Sequence, residues 1–101
     1  MGVPRLIART PAPPPAAAVD VDELVREAQQ AYMRRYYAVA IDKAREVLRA
    51  KPGRQTAYQI IAASSCALGE ASDAREAASH LDEHKRRLVH SLCERNGVKL
   101  E

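Results

Sequence analysis

The side chains able to do chemistry are few and poorly grouped. His80 and His84 stand four apart, a spacing that puts two imidazoles on one face of a continuous helix, yet Asp82 between them reads as a helix N-cap and no third ligand accompanies them. The pair therefore reads as solvated surface histidines, with no metal and no cofactor expected. Cys66 and Cys93 are not in a CxxC arrangement and each falls on an expected helix, so both are expected to be reduced and partly buried. Pairing them would require two helices to meet with suitable geometry. Ser64-Ser65 sits among small residues inside an apolar run and reads as packing. No glycine-rich phosphate loop or nucleophile elbow is present, and the acidic residues mostly alternate with basic ones, as in Asp42-Lys43 and Arg45-Glu46. An enzyme is not expected.

Charge points weakly to nucleic acid. The net charge of +3 is small, with Arg5 and Arg9 near the start and the densest cluster at Lys85-Arg86-Arg87. Three cations give salt-sensitive, unspecific attraction to phosphate, so a solvated helix face is the stronger reading. A small helical nucleic-acid-binding domain using this basic last helix remains the alternative function.

The elements that position these residues come from a repeat. Leu24, Ala28, Ala31, Ala40, Ala44 and Val47 recur thirty-four residues later as Tyr58, Ala62, Ser65, Ala74, Ala78 and Leu81, small matching small and large matching large. Small residues let helices approach closely and large ones fill the seam between them. The 101 residues, 47% hydrophobic and without Phe or Trp, suit a small core of close-packed helices. Five are expected, at about 21–35, 37–50, 55–68, 72–81 and 83–96, and no run alternates as a strand does. Asp20-x-x-Glu23 forms a capping pair before the first, Pro52-Gly53 ends the second, and Gly69 through Ser72 and Asp73 turn into the fourth. In the last, Leu88, Val89, Leu92 and Cys93 form one apolar stripe. Asn96-Gly97 closes it, so that Val98 or Leu100 folds back on its final turn. This helix reads as a cap.

Tyr37-x-x-Ala40-Ile41-x-x-Ala44-x-x-Val47-Leu48 followed by Pro52, and Tyr58, Ile61, Ala62 and Leu68-Gly69 followed by Ala74 and Ala78, resemble the tetratricopeptide repeat family over about residues 21–86. Glu27 against Ile61, Arg35 against Gly69 and Arg86 against Pro52 depart from the pattern. The resemblance implies an all-α domain of two antiparallel helical hairpins with a C-terminal capping helix at 20–101. It also implies a concave groove for a protein or peptide partner, lined by Val25, Gln29, Tyr32 and Met33 from one copy and Thr56, Gln59, Ile60 and Ala63 from the other. That set is mostly apolar or neutral and suits a helix or extended peptide. The Lys/Asn constellation with which chaperone-binding members grip a terminal carboxylate is not visible. A narrower likeness runs from Tyr58-Gln59-Ile60-Ile61-Ala62 through Cys66-Ala67-Leu68-Gly69, Lys85-Arg86-Arg87 with Leu88-Val89, and Gly97-Val98-x-Leu100. These are similar to the C-terminal repeat segment of some bacterial serine/threonine protein kinases, which implies a regulatory module.

Residues 1–19 hold five of the six prolines and show no helical periodicity, as expected of a disordered Pro/Ala-rich tail or linker; Arg5-Leu6-Ile7-Ala8-Arg9 could serve as a docking motif. Leu6-Ile7-Ala8 is too short for a signal peptide, Leu6 spoils a myristoylation site, and no apolar run spans a membrane. A cytoplasmic location is the default. With two repeats and one cap, the outer face of the first helix, with Leu24, Val25, Tyr32 and Tyr36, is expected to lack a cover, which a homodimer could supply.

Overall fold

The computed structural model describes residues 20–100; the proline-rich stretch expected at 1–19 and Glu101 lie outside the described residues. Among the described residues five helices follow one another: α1 (Val21–Met33), α2 (Tyr37–Ala50), α3 (Gln55–Ala67), α4 (Ala71–Ala78) and α5 (Glu83–Arg95). No strand occurs among the described residues, and the fold class is all-α. Consecutive helices pack as hairpins, α1 on α2 and α3 on α4, with α2 against α3 joining the two and α5 resting on α3.

The large/small pattern is the packing. Ala28, Ala40 and Ala44 in the first hairpin and Ala62 and Ala74 in the second are fully enclosed, with Ala78 nearly so, while Val47 and Leu81 fill the equivalent seam positions. Leu24 and Tyr58 are half-buried against that core in both copies. Ser65, opposite Ala31 in the repeat, is equally buried, and neither its hydroxyl nor that of Ser64 meets a hydrogen-bond partner.

Helix ends follow from backbone requirements. Asp20 caps α1 by accepting the Glu23 amide at 3.1 Å. The expected reciprocal half of the box is missing, because the Glu23 carboxylate turns to Arg26 instead. Helix α1 closes when the Tyr36 amide donates to the Ala31 carbonyl (2.8 Å) and the Arg35 amide to that of Tyr32 (3.0 Å). The same pair of bonds closes α3, from Glu70 to Ser65 (2.8 Å) and from Gly69 to Cys66 (3.0 Å), and closes α5, from Val98 to Cys93 and Gly97 to Glu94 (both 2.9 Å). Each closure needs one left-handed residue, and Gly69 and Gly97 fill it at φ 78° and 80°. In α1 that residue is Arg35, at φ 68°. Beyond Gly97 the chain folds back as expected, burying Val98 and Leu100.

Helix α4 departs from expectation at both ends. It starts at Ala71, so Ser72 and Asp73 lie in its first turn and not in a preceding loop, and it stops at Ala78. Gln55 explains the early stop: its amide donates to the His80 carbonyl (2.7 Å) and accepts the Asp82 amide (2.9 Å), fixing the turn into α5 from the start of α3. His80 stacks flat on Tyr58, ring centroids 4.3 Å apart, and contacts Glu76 through Nε2 at 3.3 Å. It is therefore engaged on the surface and not simply solvated. Asp82 then caps α5 by accepting the Lys85 amide at 2.9 Å. This break separates His80 from His84, and no group of metal-binding side chains occurs among the described residues.

Candidate functional site

Helices α1, α3 and α5 leave a groove of about 640 Å³ between them. Helix α1 supplies Gln29, Tyr32 and Met33, which recur on one face at i, i+3 and i+4. Helix α3 supplies Thr56, Gln59, Ile60 and Ala63 on the same principle, and α5 supplies Leu88, Val89, Leu92 and Arg95. Ile60, Ala63 and Val89 are buried and form the floor. The rim is exposed: Met33 is 79% and Leu88 51% accessible. Two large aliphatic groups held in water beside a concave apolar floor are what a hydrophobic partner would cover.

Seven of the eight residues expected from the sequence line this groove. Val25 does not: it is buried in the core cluster with Ala28, one turn before the groove begins. The same burial removes Val25 from the expected uncovered outer face of α1. There Leu24 is half-buried and Tyr36 is exposed. The wall contributed by α5 was missed. Its signal was present in the stripe Leu88, Val89, Leu92 and Cys93, which is wider than one contact needs: Cys93 is buried against the body and Val89 in the groove floor, leaving Leu88 and the flank of Leu92 as the groove's open wall.

The polar groups of the groove are four neutral side chains, the Tyr32 phenol among them, and one cation. Gln29, Thr56 and Gln59 can each donate and accept, and Arg95 is the sole charged lining residue. Tyr32 stands edge-on to Tyr37, centroids 5.6 Å apart. Burial pushes its phenol above the ordinary value and the Tyr37 phenol adds to this, while the charge of Arg95 opposes them, so Tyr32 stays a neutral donor.

Beneath the groove, the cysteines differ from expectation. Cys66 of α3 and Cys93 of α5 are joined in a disulfide across a Cα separation of 5.2 Å, and both are almost wholly buried. They are not reduced because the turn at 79–82 sets the register in which α5 lies on α3, a placement that spacing along the chain does not reveal. The bond ties together two of the three groove walls. Of the basic triplet, Lys85 pairs with Asp82 at 3.2 Å and Arg86 donates to the Leu81 carbonyl at 3.1 Å. No helix among the described residues is long and apolar enough to cross a membrane. No protein-family model matches the chain, and no curated protein or solved structure matches it.

Proposed function

We propose that this chain is a non-catalytic protein-interaction module of tetratricopeptide type, whose groove takes an apolar helix or extended segment of a partner protein. One observation carries the reading: seven residues chosen from a repeat pattern, twenty-three or more apart between the copies, line one cavity with an aliphatic floor. Burial of aliphatic side chains would supply most of the affinity, and Gln29, Thr56 and Gln59 would fix register by hydrogen bonds. Arg95 at the rim favours a partner bearing a carboxylate at the corresponding end. A regulatory domain of a kinase system, in keeping with the narrower likeness, is one setting for such a module. The nucleic-acid alternative is disfavoured because Lys85 pairs with Asp82, so that the triplet does not act with its full charge.

The compartment belongs to the same proposal. A fully buried disulfide persists where thiols are kept oxidised, which weighs against the cytoplasmic default. The test is selection of peptides from an unbiased displayed library against the oxidised protein. Amphipathic sequences with an acidic end should be enriched, and Tyr32→Glu should abolish capture while leaving the helical circular dichroism unchanged. Enrichment of basic or purely polar peptides, or capture that survives Tyr32→Glu and Ile60→Arg, would sink the groove reading. Sedimentation alongside shows whether a second copy, covering Met33 and Leu88, is the occupant.

A further inference from the structure

A second concavity, of about 470 Å³, lies on the other flank of α5 and is lined by Arg75, Ala78, Ser79, Arg86, His90 and Leu100. Arg75 comes from α4, Arg86 and His90 are one turn apart on α5, and Leu100 closes it from the C-terminal return. Among the described residues neither guanidinium is paired with a carboxylate. Arg75 donates Nη1 to the Lys99 carbonyl at 3.2 Å, and Arg86 donates Nη2 to the Leu81 carbonyl at 3.1 Å. Each is thus positioned by one main-chain acceptor with most of its donors left over. Among the described residues no ion pair involves either, and no acidic side chain lines the cavity.

The geometry points to a site for a phosphate monoester between α4 and α5, gripped by Arg75 and Arg86 with His90 beside them. Donors arriving from two helices on different sides match an oxyanion with three acceptor oxygens better than a planar carboxylate, and guanidinium forks pair with phosphate in two-point fashion. The cavity is several times larger than a phosphate group, and its remaining wall is Ala78 and Leu100, which suits an organic substituent on the ester. One local field opposes the anion: the carbonyl end of α4 lies next to Ser79, whose own hydroxyl donates to the Glu76 carbonyl at 2.6 Å. A helix end carries about half a charge, which two full guanidinium charges exceed. This site is independent of the groove and does not rest on its function.

The experiment is a titration of the full chain with phenyl phosphate and with inorganic phosphate, at ionic strength held constant with chloride, followed by amide chemical shifts. Saturable shifts confined to Ser79, His90, Leu100 and their neighbours are expected, with phenyl phosphate binding more tightly than inorganic phosphate. Arg75→Gln and Arg86→Gln should each weaken binding by about tenfold or more, the loss of a charge-assisted contact, while the exposed Arg87→Gln leaves it unchanged. Each variant is compared at equal helical content, so that if one unfolds the other decides. The site is refuted by absence of saturation, or by Arg87→Gln weakening binding as much as Arg75→Gln, which would reveal a diffuse basic surface. Equal affinity for the two probes overturns the monoester. Binding that appears only after Glu101→Gln would assign the pocket to the chain's own carboxylate and overturn it also.

Discussion

The two hairpins share a pattern and differ in how they are finished. Offset by thirty-four, α1 coincides with α3 at both ends and α2 starts where α4 starts, but α2 runs to Ala50 while α4 stops at Ala78. Where the second copy has Ile61 and Ala77, both buried, the first has Glu27 and Lys43, a half-exposed ion pair at 3.0 Å. Where the second has Gln55 holding the turn that brings α5 onto α3, the first has Val21. One repeat unit thus carries a half-exposed ion pair and the other serves as a platform for a covalently fastened helix. The difference lies in a handful of positions, not in the packing pattern, which the copies share.

The largest effect should come from cutting that fastening. The disulfide closes a loop across 27 positions, for which chain-entropy arguments give about 3–4 kcal/mol. Replacing both Cys66 and Cys93 by Ala should lower the unfolding free energy by that order in non-reducing denaturant melts, and amide exchange in α5 should accelerate before that in α1 and α2. Equal acceleration everywhere would show that α5 belongs to a single cooperative unit and would blur the contrast between the hairpins. Peptide capture by the groove should fall with it, because α5 forms one wall.

The shared packing predicts equal sensitivity in the two copies. Ala40 and Ala74 occupy the same place and are both fully enclosed, so Ala40→Leu and Ala74→Leu should each cost about 1–3 kcal/mol by overpacking. Thermal melts of the two variants check this. A loss confined to Ala74→Leu would mean that the first hairpin, which has no fastened helix like α5 among the described residues, relaxes around the extra methylenes.

What could be read from the sequence follows the same division. Helix existence, the enclosed alanines and seven groove residues were legible, because each depends on contacts between residues of one helix face or of two adjacent helices. The return of Val98 and Leu100 was legible from Asn96-Gly97, since a left-handed closure is a local event. Features set by the seating of α5 were not. The disulfide, the wall of Leu88, Val89, Leu92 and Arg95, and the truncation of α4 all go with the turn that Gln55 reaches from twenty-five residues away. No pattern within either segment announces that contact. Val25 was misplaced for the opposite reason: it lies on the groove face of α1 by periodicity, but too near the start of the helix to reach the groove.

A smaller effect separates the two equivalent closures. Arg35 and Gly69 hold the same left-handed conformation and make the same pair of hydrogen bonds, so the first hairpin carries a strain that the second avoids. Arg35→Gly should raise stability by about 1 kcal/mol, and Gly69→Ala should lower it by a similar amount, since nothing crowds a Cβ there and only the backbone conformation opposes it. Denaturant midpoints at unchanged m-value measure both. If Arg35→Gly is neutral, the arginine side chain must offset the strain by contacts of its own.

The smallest expected effect is electrostatic and touches only the second hairpin's join to α5. The Asp82 carboxyl is held below its ordinary value first by the Lys85 amide it accepts, with the Lys85 ammonium adding to this and burial opposing it. A carboxyl depressed in the folded state stabilises the fold above its unfolded pKa, and that contribution disappears as pH falls through the lower, folded value. Melting temperature should therefore drop on acidification below about pH 4, the region where unfolded aspartates titrate. Asp82→Asn keeps an oxygen that can cap the helix while removing the charge, so it should flatten this segment of the profile with little loss at neutral pH, whereas Asp82→Ala should lose the cap at every pH. The readout that distinguishes them is amide exchange at Lys85 between acid and neutral pH. If Asp82→Asn tracks the parent protein at all pH values, the acid loss arises elsewhere and the seating of α5 rests on Gln55 and the disulfide alone.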